Sequence, residues 1–83
     1  MAEELVGSIT HYFAKPEVGV VKLGTEIKTG DVLHFRGSTT DFQQKITSMQ
    51  VDHAAVESAA AGTEVAIKLK DRVRSHDEVY RVT

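Results

Sequence analysis

Apolar residues occupy every second position from 64 to 69, where Val65, Ile67 and Leu69 alternate with Glu64, Ala66 and Lys68, and Lys70 continues the polar set. A period of two marks a strand with one buried face, so Val65, Ile67 and Leu69 are expected inward and Glu64, Ala66, Lys68 and Lys70 outward. The stretch "EIKTGDVLHF", 26 to 35, repeats the pattern around a turn. Ile27 ends one apolar approach, Thr29-Gly30-Asp31 reverses the chain, and Leu33 and Phe35 are expected in the core. Residues 5 to 13, "LVGSITHYF", are rich in β-branched and aromatic types and lead into "AKPE", which holds the chain's one proline and suits a turn. "VGVVKL", 18 to 23, is a second short run closed by Gly24.

Two segments conflict with a simple strand pattern. Residues 42 to 51, "FQQKITSMQV", read as one strand, yet Ile46 and Met49 both belong in a core and sit three apart. A bulge or sharp bend near Thr47 or Ser48 would bring both inward. The alanines of "DHAAVESAAAG", 52 to 62, favour a helix that Asp52 could cap. A helix of about ten residues with a thin apolar stripe is marginal, however, so the segment is expected to be irregular with a short extended piece around Val56. Near the end, Ser75-His76-Asp77 precedes Val79 and Tyr80 much as Thr29-Gly30-Asp31 precedes Val32 and Leu33, so one hinge is expected twice. Six to seven short strands without a convincing helix predict an all-β fold: a small antiparallel barrel, closed or nearly closed, which protects its own edges.

Eighty-three residues are expected to form a single domain, 1–83, with one core. The absence of cysteine excludes disulfides and thiolate metal sites. A formal net charge of -2 with both signs interspersed gives no long-range attraction for nucleic acid or an anionic membrane, so any such binding must be local. The start "MAEELVGSIT" lacks a basic segment followed by an apolar run, and no apolar stretch is long enough to span a bilayer. The expectation is a cytoplasmic protein without a membrane partner.

In order, "VGSITHYF", "VGVVKLG", "IKTGDVLHF", "KITSMQV", "AAAGTEVAIKL" and "HDEVYRV" resemble the second, β-barrel domain of translational GTPases such as elongation factor Tu and initiation factor 2. The same module is similar to the barrel appended to collagenase-like peptidases, and its short free-standing relatives are known as translation elongation factor-like proteins. The resemblance covers nearly the whole chain and implies a Greek-key barrel. It rests on Gly7, the hydrophobic-Lys-x-Gly run, the turn at Gly30-Asp31, and Gly62 before the alternating strand. His76 stands where the family usually has glycine in the last turn. No G-x-x-x-x-G-K-[ST] occurs, so neither a GTPase domain nor nucleotide binding is expected. In elongation factor Tu this barrel holds the acceptor end of aminoacyl-tRNA, and the matching positions are Gln50, with His53 just beyond and Ile67 across. Gln50 keeps hydrogen bonding and lacks the family's carboxylate.

The four histidines, His11, His34, His53 and His76, show no helical ligand spacing and are expected to be exposed strand or turn residues, with no metal and no cofactor. Ser38 and Ser48 lie in no nucleophile elbow, so no catalysis is expected of this chain. Lys68, Lys70, Arg72 and Arg74 alternate along one strand and its continuation and could track a phosphate backbone. The plainer account is a solvated outer face. His11, Tyr12 and Phe13 could stack on bases, although one or two of them must fill the core. The functional expectation is a free-standing binding module contacting RNA weakly, such as a tRNA acceptor end. The alternative is a protein-docking module serving a separately encoded enzyme such as a collagenase-like peptidase relative.

Overall fold

The computed structural model describes residues 3–82. Three turns of one design organise them. In Lys28-Thr29-Gly30-Asp31, Ala60-Ala61-Gly62-Thr63 and Arg74-Ser75-His76-Asp77, the last N–H donates to the first carbonyl at 3.1–3.2 Å. The third residue has positive φ in each, at 96°, 86° and 75° for Gly30, Gly62 and His76, as a type II turn requires. Each turn also clamps the backbone of one core residue: Ile46, Leu23 and Ile9 accept from the third residue's N–H and donate to the fourth residue's carbonyl. In the two aspartate turns the carboxylate accepts the first residue's N–H, Lys28 to Asp31 at 3.0 Å and Arg74 to Asp77 at 2.8 Å. The hinge is therefore used twice as expected, and a third time without the aspartate.

Gly30 would gain no contact from an added Cβ, so its requirement is purely conformational. Gly30→Val is expected to lower stability by about 1 kcal/mol or more, since β-branched residues tolerate positive φ poorly. His76→Gly relieves the same conformation and is expected to be neutral or stabilising. Denaturant midpoints of both variants check the pair.

Between the turns run ten strands: β1 (Glu3–Phe13), β2 (Val18–Leu23), β3 (Ile27–Lys28), β4 (Val32–Arg36), β5 (Asp41–Lys45), β6 (Met49–Val51), β7 (Ala54–Val56), β8 (Ser58–Ala59), β9 (Glu64–Lys68) and β10 (Glu78–Val82). Eight form one antiparallel sheet in the order β5-β4-β10-β1-β2-β9-β6-β7, and β3 pairs with β8. The fold is thus all-β, but the ladder has eight strands rather than six or seven, and it does not close on itself. A side chain bridges part of the opening. The Gln44 amide of β5 donates to the Lys68 carbonyl at 2.7 Å and accepts the Lys70 N–H at 2.8 Å, the donor and acceptor pair of a peptide unit.

The segment read as one strand from 42 to 51 is two strands. It breaks at 46–48 and crosses from β5, at one end of the ladder, to β6 near the other. This break, in place of a bulge, lets Ile46 and Met49 both reach the core. Residues 52–62 are extended and irregular, with no helix. Val51 pairs with Ala54 around Asp52 and His53, whose φ values of 51° and 66° fit a type I′ hairpin. Cross-strand pairing and burial of Ala59 outweigh alanine's helix propensity. Leu33, Phe35, Val65, Ile67 and Leu69 are buried as the alternation predicts.

Candidate functional site

Gln50 lies on the outer face of β6, and His53 in the hairpin turn that follows. The expectation that Ile67 stands across from Gln50 is corrected by one residue of register. Ile67 pairs with Met49 and is 1% exposed, whereas Gln50 pairs with Ala66. A shift of one residue along a strand moves a side chain to the opposite face, so Ala66, not Ile67, shares the outer surface with Gln50. Lys68, Lys70, Arg72 and Arg74 are all exposed. They do not form one strand row, because β9 ends at Lys68. Beyond it Lys70, Asp71 and Arg72 are exposed in succession between buried Leu69 and Val73, and the alternation that would align the cations stops there.

What the fold does assemble is a trough of about 460 Å³ on the outer face of β2, β9 and β6. Val20, Ala66 and Gln50 are successive cross-strand partners along one row and give it a floor. Ala66 leaves a depression between its larger neighbours. Because β6 runs antiparallel to β9, Asp52, in the turn that follows β6, and Glu64, at the start of β9, lie towards the same end of the trough. Phe13, Pro16 and Val18 line the trough as well. By register Phe13 faces Val18, and Val18 faces Lys68, which sets an aromatic and aliphatic end opposite the acidic one. Tyr12 packs against the core, whereas Phe13 is 47% exposed and lies against the His11 ring, centroids 4.4 Å apart. The outward placement of Glu64 and Ala66 is legible in the alternation, but their meeting with Phe13 and Asp52 depends on strand neighbours that no local pattern encodes.

Other polar clusters are structural. His34 is 14% exposed in its side chain, unlike the exposed histidine expected. Its Nδ1 meets Glu3 and its Nε2 meets Asp41, each at 2.6 Å. The two carboxylates sit at different ring nitrogens and do not converge on one point, and no group of three or more His, Asp or Glu suited to a metal occurs among the described residues. The hydrogen bond to Asp41, with that to Glu3, raises the His34 pKa above its usual 6.5 against the opposing effect of burial. A raised folded-state pKa stabilises fully below about pH 6.5 and ceases to do so as pH rises through the folded value. The stability difference between the protein and His34→Gln is therefore expected to shrink from pH 6 to pH 9, which urea midpoints across that range would check. Buried Asp77 accepts the Thr40 hydroxyl at 2.5 Å in addition to its own turn's N–H, and is likewise satisfied.

No family model matches the chain. It is 34% identical over 76 residues to an uncharacterized protease of Methanocaldococcus jannaschii, covering 90% of this chain and 19% of that protein. It is 31% identical over 78 residues to a collagenase of Porphyromonas gingivalis, covering 92% of this chain and 22% of that one. The chain thus spans about a fifth of the length of the curated relatives it matches. Its fold is that of the C-terminal domain of a Geobacillus thermoleovorans protein named as a U32 peptidase. The TM-score is 0.89 at 18% identity, over 96% of this chain and 93% of that domain. A selenomethionine variant of the same domain matches with a TM-score of 0.87 at 19% identity, over 92% of this chain and 96% of that one. These relatives support the resemblance to the barrel of collagenase-like peptidases, and nothing among them supports a translation-factor identity. No helix long and apolar enough to cross a membrane occurs among the described residues.

Proposed function

We propose that this chain is a non-catalytic docking module that works beside a collagenase-like peptidase. The observation that carries the reading is the match of nearly the whole chain to a minor part of two protein-degrading enzymes, with the fold of a peptidase C-terminal domain. A part that recurs within larger enzymes without a nucleophile and base of its own is suited to binding rather than chemistry. RNA binding draws less support. Gln50 shares its surface with Asp52 and Glu64, which repel phosphate, Ile67 is buried, and the cation row is broken after Lys70.

Affinity purification on the immobilised chain, with RNase-treated and untreated arms, separates the two. Capture of a peptidase that survives RNase is expected, and replacing Lys68 and Lys70 with Ala should not change it. Capture of RNA alone, with a salt slope that this double substitution flattens by about 1.4, would overturn the docking reading in favour of RNA.

A further inference from the structure

The trough has two unlike ends, and their chemistry specifies an occupant. We propose that it receives an extended segment of a protein partner, seating an aromatic or aliphatic side chain over Val18, Val20 and Ala66 and a Lys or Arg side chain over Asp52 and Glu64. This deepens the docking reading and rests on it. The floor is apolar at Val20 and Ala66 and dips at Ala66, which admits a side chain larger than the one it carries. Phe13 adds an exposed aromatic face, a residue type enriched in protein interfaces.

The acidic end sets the sign of the partner's charge. Asp52 and Glu64 are the formally charged carboxylates of the lining, and no Lys or Arg lines the trough with them. Lys22 faces Glu64 across β2 and β9, yet among the described residues no ion pair engages Glu64, whose carboxylate meets only the Thr10 hydroxyl at 3.5 Å. A cation can therefore be taken up there, and a phosphate is repelled. Ala66 and Glu64 are two residues apart on β9, about 7 Å at strand rise, which equals the spacing of residues i and i+2 in an extended peptide. Gln50, with a donor and an acceptor on one amide, suits a backbone peptide group between the two anchors.

The test uses the isotopically labelled 83-residue chain and two blocked seven-residue peptides with Phe at i and either Lys or Glu at i+2, flanked by Gly and Ser. Amide shifts at Val20, Gln50 and Ala66 are expected on adding the Lys peptide, with at least about fivefold weaker binding of the Glu peptide. Asp52→Asn with Glu64→Gln should erase that preference, Ala66→Arg should abolish binding of both, and Lys70→Glu should leave it intact. Equal shifts with both peptides, shifts elsewhere on the sheet, or no shifts with the Lys peptide at millimolar concentration would overturn the proposal. Applying Ala66→Arg to the peptidase capture separates this inference from the reading beneath it. A peptidase held equally by both forms removes the trough and keeps docking, whereas trough-specific peptide binding without peptidase capture keeps the trough and removes the peptidase.

Discussion

Gly7→Ala is expected to destabilise the domain by about 3 kcal/mol, a large share of its total stability. Gly7 lies in β1 where pairing passes between two neighbours: it faces Leu23 of β2 and Val79 of β10, and the β10 register shifts between Leu5 and Gly7. A Cβ here would overlap the backbone carbonyl of Lys22 and press on the Val21 side chain. A flexible side chain could swing aside; a carbonyl within the β1–β2 ladder cannot move without breaking hydrogen bonds on both sides. A domain of this size has about 4–12 kcal/mol of stability in all, so a loss of this order is readily measured. Urea unfolding followed by circular dichroism suits a chain that has no tryptophan. A midpoint equal to that of the unaltered protein would show that the close approach of β1 and β2 is misplaced.

Phe35→Ala should cost a similar or larger amount, about 3–5 kcal/mol. Phe35 is 1% exposed, the largest fully buried side chain, and stacks on Phe42 of β5 with ring centroids 4.9 Å apart. Its removal opens a cavity beside the strand whose Gln44 bridges to Lys68 and Lys70. The end strand β5 is thus expected to loosen first, with faster amide exchange at residues 41–45 than at 64–68. A loss below about 1 kcal/mol would mean that the core is centred elsewhere.

Much of this architecture is local and so could be read before the fold was known. Alternation at 64–69 orients Val65, Ile67 and Leu69 because a half-buried strand permits no other phase. The Gly30-Asp31 turn and its His76-Asp77 counterpart were recognisable because positive φ and an accepting carboxylate leave a residue signature. The β6–β7 hairpin leaves no such signature, because Asp52-His53 adopts φ values usually found with Asn-Gly, while the surrounding alanines suggest a helix. The pairing of Gln50 with Ala66 rather than Ile67 is not legible for a different reason: which residue of β9 faces Gln50 is a matter of long-range register. The trough is non-local in the same sense. Asp52, Glu64 and Phe13 come from three parts of the chain, and only the order β1-β2-β9-β6 brings them to one surface.

Isothermal titration of the chain into a collagenase-like peptidase from the same organism, truncated before its own barrel, tests the central claim most directly. The docking account predicts saturable one-to-one binding with Kd near or below about 10 µM, insensitive to Lys68→Ala and Lys70→Ala. Absence of binding at about 100 µM peptidase, together with saturable binding of a tRNA acceptor-end mimic at low salt, would contradict it.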